Sequence, residues 1–256
     1  MSHLRVVTFN TWNGQGDFDR RLALMCAGLK ALNADVILLQ EVFAQIPNGE
    51  DVARTIAHAL KMNVVSAPAR KKLRSVNGAP VLSCSGLAVL TRGTIRDHQT
   101  VRLPEDARDG ERLGQVVSAT IDGQEVLIAN VHLSHLSGED DLRQRQLDVL
   151  MDHAARLPEH DVMVLGGDMN LAARHSTLIA LHTDRGFQVV EYDAPPITTL
   201  NPIDGETADM GVIDHVFVKA AGDFRVRAHT ALNTLDDASG LYPSDHTAVV
   251  ADVEFN

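Results

Sequence analysis

Six apolar runs of this 256-residue chain end in, or are interrupted by, polar residues that a buried strand has no need of. Asn10 ends VVTFN, Glu41 follows VILLQ, and His132 lies in IANVHL. Asp168 and Asn170 follow VMVLGG, Asp214 and His215 interrupt GVIDHVFV, and Asp245 with His246 precede TAVVADV. One such ending is ordinary, since Gly, Asp and Asn are turn residues. Six converging in space would form an acidic cup with two or three histidines, and ligand sites in α/β folds do gather at strand ends. Glu41 and one of Asp168, Asp214 or Asp245 offer carboxylate oxygens and Asn10 an amide oxygen, a donor set for a hard cation. Mg²⁺ is held by one or two carboxylates, keeps several waters and is completed by substrate phosphate, so the matching reaction class is phosphoryl transfer. Other chemistries lack their motifs: there is no G-x-S-x-G, G-x-x-x-x-G-K-[ST], H-E-x-x-H or G-x-G-x-x-G after a strand. His132 and His135 in HLSH have no third ligand nearby for zinc.

The elements that must carry these residues are legible from periodicity. Arg5 to Asn10 reads as a buried strand, and Asp19 to Asn33 places Leu22, Cys26, Leu29 and Leu32 at helical spacing. DVILLQEV (Asp35 to Val42) is a nearly continuous apolar run, as in a strand covered on both faces. A helix at Asp51 to Met62 leads to Val64-Val65 and a loop rich in Ala, Pro, Ser and Lys. Strands follow at Gly86 to Arg92, Thr94 to Val101, Gln115 to Ile121 and Glu125 to Leu133, the last two joined by the hairpin signal Asp122-Gly123. Next come a helix near Glu139 to Arg156, a strand at Asp161 to Gly166 and a helix near His175 to Arg185. The tail supplies Phe187 to Glu191, a Pro/Thr-rich loop from Ala194 to Asp209, and strands near Val212 to Val218, Phe224 to His229 and Thr247 to Glu254. Strands and helices interleave throughout without a linker, which predicts one domain over residues 1–256: two sheets packed face to face and flanked by helices.

Composition narrows the setting. No run approaches the ~18 apolar residues of a membrane span, and the N-terminus enters strand-like residues without a leader pattern, so a cytoplasmic protein is expected. Two cysteines, Cys26 and Cys84, are too few for a disulfide framework. The formal net charge of −11 argues against a protein that holds long nucleic acid mainly through its phosphates. A local basic patch, RKKLRS (Arg70 to Ser75) with Arg92 and Arg96, reads first as a solvated loop. Arg143 and Arg145, entering the helix after HLSH, could reach a substrate phosphate, although a solvated helix face is the simpler reading.

In order along the chain, TFNTWNG, LLQEV, NVHLSH, GGDMNL, IDHVFV and SDHTAVVADV resemble the endonuclease/exonuclease/phosphatase superfamily from residue 8 to 253. The resemblance implies a four-layered α/β sandwich, with two mixed or antiparallel β-sheets between helices, and Mg²⁺-dependent phosphoester cleavage, with Mn²⁺ as a substitute ion. Carried over by position, it makes Glu41 the principal metal ligand with Asn10 beside it and Asp245 contributing directly or through water. It makes Asp168 the base that activates the attacking water and Asn170 the amide that orients that water or the phosphate. His246 resembles the family's terminal histidine, paired with Asp214, and His132 the histidine that contacts the scissile phosphate. The sequence leaves open whether Asp168 or His246 takes the proton.

The chain also departs from its relatives. Some place a second carboxylate two residues after the first Asn, where this chain has Trp12; the abasic-site endonucleases use a mid-chain tyrosine, and here the tyrosines are Tyr192 and Tyr242. With aromatics at only 4% of residues, there are few platforms for stacking bases. Phosphodiester hydrolysis is therefore the leading expectation, with a nuclease acting on short or damaged DNA ends as the alternative. A lipid headgroup, an inositol phosphate and a nucleic acid all fit as substrate, and oligomeric state has no signal. A binding module on the same scaffold would have lost at least one of Glu41, Asp168, Asn170 or His246, and all four are present.

Overall fold

The structure is a computed structural model that describes residues 3–188, 190–193, 196–200 and 211–256. Its first half contains β1 (His3–Asn10), α1 (Phe18–Leu32), β2 (Val36–Gln45), α2 (Val52–Leu60), β3 (Asn63–Ala67), β4 (Lys72–Val76), β5 (Ala79–Thr91) and β6 (Thr94–Arg102). The second half contains β7 (Leu113–Ile121), β8 (Gln124–His132), α3 (Asp140–Ala154), β9 (Val162–Asp168), α4 (Ser176–Thr183), β10 (Glu191–Tyr192), β11 (Asp214–Ala220), β12 (Phe224–Ala231) and β13 (Ala248–Phe255). One sheet has the order β10-β12-β13-β1-β2-β5-β3 with β4 also on β5; the other runs β11-β9-β8-β7-β6. Both are mixed, with β1 parallel to β2 in the first and β8 parallel to β9 in the second.

Three apolar layers bind four structural layers. Phe18, Leu22, Met25 and Leu29 recur along one face of α1 and join Val52 and Ile56 of α2 against the first sheet. Between the sheets, Val6, Leu38 and Val89 meet Val117, Ile128 and Val164. Leu147, Leu150 and Met151 of α3, with Leu178 and Leu181 of α4, cover the far face of the second sheet. The double coverage explains why β1, β2, β8 and β9 read as unbroken apolar runs.

The segment read as a loop around RKKLRS is instead a hairpin of β4 with β5, joined at Asn77-Gly78, both at positive φ (48° and 79°). This is the Asn-Gly turn that twists correctly for a two-residue hairpin; its arms lack apolar alternation, which hid it. Of the expected strand Phe187 to Glu191, an isolated bridge at Gln188 and the two-residue β10 are present, and residue 189 lies outside the described residues. Most of the loop from Ala194 to Asp209 also lies outside them. Among the described residues, no helix is long and apolar enough to cross a membrane.

Candidate active site

Strand direction decides where the polar residues meet. The parallel pairs β1/β2 and β8/β9 bring Asn10, Glu41, His132 and Asp168 to one end of the sandwich through their C-terminal halves. β11 and β13 run antiparallel to β9 and β1, so they contribute their beginnings, Asp214 and the Asp245-His246 step. His132 and Asp214 are both register partners of Asp168, which sets the three in one row across the second sheet. At Glu41 the β2–β5 register shifts between Leu39 and Val42, and Glu41 takes φ 53°. A bulge of this kind re-aims a side chain out of the pleat, and a left-handed non-glycine residue persists only where its surroundings hold it.

Asp168 is the hub. It is buried; its Oδ2 accepts from Asn10 Nδ2 at 3.0 Å and its Oδ1 from the Asn170 backbone at 3.1 Å. His132 Nε2 stands 3.4 Å and His246 Nε2 3.8 Å from the same Oδ2. His246 Nδ1 is 2.8 Å from Asp214 Oδ2, a contact that fixes the ring. Asn170, at φ 49°, donates through Nδ2 to the Leu133 carbonyl at 3.2 Å. The glycines before Asp168 serve strand approach: a Cβ on Gly167 (φ 147°) would lie 1.9 Å from the Val131 carbonyl oxygen.

Burial pushes the Asp168 carboxyl up to about 7; nearby Asp214 adds to the rise, while His246 and the Asn10 hydrogen bond oppose it. Burial works against a charge on His246, yet Asp214, Asp168 and Asp245 together lift it to about 10. His132 goes the other way: burial and the Arg112 and His246 cations hold it well below the ordinary imidazole value, hence neutral. Asp245 is raised to about 6, by burial first and by the neighbouring Glu41 carboxylate next among the groups that raise it.

Two clusters could take a cation. Asp168, Asp214 and His246 have ligand atoms within 4.8 Å of one another, but these are already joined by the His246–Asp214 and Asn10–Asp168 contacts. Glu41 is clasped by the Asn13 amide, whose Oδ1 is buried with no partner. An orphaned amide oxygen beside Glu41, with Asp245 close enough to be perturbed by it, is a hard-oxygen set that suits Mg²⁺.

The family model described as "Endonuclease/Exonuclease/phosphatase family" matches residues 7–246. The chain belongs to this family. Its members are in general phosphoester hydrolases that use a divalent metal. Among solved structures, an endonuclease/exonuclease/phosphatase from Beutenbergia cavernae is 22% identical over 100% of this chain and 72% of its own, with TM-score 0.75. A family protein from Bacteroides thetaiotaomicron is 19% identical over 100% of this chain and 96% of its own, with TM-score 0.77. TDP2 from C. elegans is 18% identical over 98% of this chain and 75% of its own, with TM-score 0.70. A comparison with curated protein sequences finds no match. These likenesses establish the four-layered α/β fold of the endonuclease/exonuclease/phosphatase family here.

Around that family's site several residues differ from expectation. Arg143 is neither on a solvated face nor aimed at the cup: it is buried, donates to the carbonyls of Ser134 (2.9 Å) and Leu136 (2.7 Å), and pairs with Asp140, tying down the loop after His132. Arg145 is exposed on α3. His215 turns away from the cup, as predicted, and meets the Leu171 carbonyl at 2.8 Å. Trp12, standing where some relatives have an acid, instead packs 4.6 Å from the Arg21 guanidinium. Sequence reasoning missed Arg21, which donates to the carbonyls of Thr11, Trp12, Asn13, Gln15 and Pro243 and so moulds the loop carrying Asn13. It also missed Gln40 and Asn130, whose 2.8 Å contact, with Asn130 donating to the Leu39 and Ala88 carbonyls, laces the sheets together beneath the cup. A second amide in TFNTWNG and an amide inside each apolar run were the available signals.

Proposed function

We propose that this protein is a Mg²⁺-dependent phosphodiesterase in which Asp168 accepts the proton of the attacking water. The observation that carries the reading is the opposite electrostatic tuning of two adjacent groups. Asp168 is raised to about 7, where it can take a proton at neutral pH, while His246 is raised to about 10 and stays charged. His246, steered by Asp214, then stabilises negative charge developing on the phosphoryl oxygens. Asn10 holds Asp168 in place, and neutral His132, 3.4 Å away, is available to hydrogen-bond the phosphate. Asn170 orients the water or the phosphate from its left-handed position after Asp168. Glu41, Asp245 and Asn10, with the Asn13 amide oxygen, are the residues that would hold Mg²⁺. Bound there, the cation would supply Lewis-acid polarisation of the phosphate and lower the pKa of a bound water. Mn²⁺ fits the same oxygen set.

The test is hydrolysis of bis(4-nitrophenyl) phosphate by wild type and Asp168→Ala, each with and without Mg²⁺. Only the wild type with Mg²⁺ should turn over appreciably; equal rates in all four reactions would end the catalytic reading and favour a binding module.

A further inference from the structure

In a chain of net charge −11, no Asp or Glu occurs between Asp51 and Asp97, while that stretch carries eight of the 23 Lys and Arg. The fold spreads it over α2, β3, β4, β5 and the start of β6; β4 pairs with the half of β5 that lies just past Glu41, whereas Arg92 and Arg96 lie beyond the other end of β5. Four of the eight cations, Arg70, Lys71, Lys72 and Arg74, fall in five consecutive positions where the chain enters β4. Arg70 shares a cleft with Glu41, His132 and Arg112, and the field of Glu41 also reaches Lys72 and Arg74.

Arg70 is held with unusual care for a residue with nothing to hold. Its backbone is left-handed (φ 53°). Its N–H donates to Glu111 Oε2 at 2.9 Å, and its carbonyl accepts from Arg74 Nη2 at 3.0 Å. The preceding Ala69 carbonyl accepts from the Ser85 N–H at 2.9 Å. The side chain that results is 26% exposed, and its guanidinium donates no hydrogen bond to any described residue. Its one ion-pair contact, Asp109 Oδ1, is 3.9 Å away. Asp109 is already engaged by Arg112 at 2.6 and 2.9 Å and by His135 at 2.9 Å. The Arg70 guanidinium thus stays open to solvent and free to take an anion, and a left-handed non-glycine residue fixed from both sides is strain retained at a functional position.

We propose that Arg70, flanked by Lys72, forms a subsite for a second anionic group, so that the preferred phosphoester carries another phosphate beside the one that is cleaved. This rests on the phosphoesterase reading of the neighbouring cup. Arg70 lines the cleft with Glu41 and His132 and has no contact with Asp168 or His246, so an anion on it would sit at the Glu41 side of the cup, away from the base. Its fork suits a phosphate, and the mobile Lys72 ammonium adds charge without fixing geometry. The same arrangement accommodates a net acidic protein acting on a small polyanion, because the positive charge is concentrated at one wall.

The subsite is tested by calorimetric binding of thymidine 5′-phosphate and thymidine 3′,5′-bisphosphate to the Mg²⁺-saturated protein, alongside hydrolysis of bis(4-nitrophenyl) phosphate, which has no second anion. The wild type should bind the bisphosphate about tenfold or more tightly than the monophosphate, as one charge-assisted contact provides. Arg70→Asn, which tolerates the left-handed backbone, should bring that ratio close to one. Lys72→Ala, on an exposed side chain, should lower it, and Arg92→Ala at the far end of β5 should not change it. A wild-type ratio below about twofold, no binding of either probe, or a ratio unaltered in Arg70→Asn would overturn the subsite. Hydrolysis of the aryl diester in those cases would leave the catalytic reading standing, and its absence despite a clear binding preference would do the reverse.

Discussion

Replacing Asp214 by Asn isolates the electrostatic role of its partner with almost no change of shape. His246 is raised from 6.5 to about 10 despite burial that opposes its charge, and Asp214, 2.8 Å from Nδ1, is the foremost of the groups that raise it. A rise of that size corresponds to roughly 5 kcal/mol favouring imidazolium, at 1.36 kcal/mol per pH unit. Asp168 and Asp245 supply part of it and survive the substitution. The variant should therefore lose the larger share, and His246 should titrate at or below about 7. In pH profiles of kcat/KM for an aryl phosphodiester at saturating Mg²⁺, the wild type should stay active up to its alkaline limb near pH 10. Asp214→Asn should show that limb at least two units lower, close to the acid limb set by Asp168, so that activity is confined to a narrow range near neutral pH. An alkaline limb that does not move, or a loss of rate equal at every pH, would refute the assignment of His246 as a charged stabiliser and leave Asp214 a structural residue.

Other consequences concern stability, metal binding and backbone. Asp168 is raised, so its folded-state penalty is absent below the ordinary carboxyl value and complete above about pH 7. Asp168→Asn should therefore be inactive yet more stable at pH 8, by up to about 4 kcal/mol, which denaturant melts of the metal-free protein will show; a destabilised variant would contradict the raised carboxyl. His246 has the opposite sign: its stabilising contribution is full below pH 6.5 and disappears as pH climbs through about 10, so the melting temperature should fall across that window in wild type but not in His246→Gln. Because Asp245 is raised to about 6, Mg²⁺ binding should release protons and weaken below pH 6, read by calorimetry in two buffers of different ionisation enthalpy. Gly167→Ala should lower stability by about 3 kcal/mol or more, since its Cβ would collide with the Val131 carbonyl at 1.9 Å from a backbone angle alanine disfavours.

How much was legible in the sequence follows from which forces are local. Strands buried on both faces leave continuous apolar runs, so a polar residue at their ends is conspicuous; Asn10, Glu41, His132, Asp168, Asp214 and His246 were visible for that reason, and the fold brings them to one end. Their convergence rests on strand direction, which periodicity does not encode but the order of motifs did. The β4–β5 hairpin was hidden because Lys72, Arg74 and Pro80 break the alternation that marks a strand, although Asn77-Gly78 announced the turn. Arg143 was misread because a long cation on an exposed-looking helix face can bury its fork on carbonyls, here those of the adjacent loop. Gln40, Asn130 and Arg21 satisfy backbone groups far away in sequence, information that exists only after the sheets pack.

A base poised near neutrality is the claim on which the proposed chemistry depends. It can be measured without a substrate by ¹³C NMR titration of the aspartate carboxyls in metal-free protein, with the Asp168 resonance assigned by its loss in Asp168→Asn. The structure predicts a midpoint close to 7. A midpoint below 5 would show that Asp168 is an ordinary carboxylate and that some other group takes the proton.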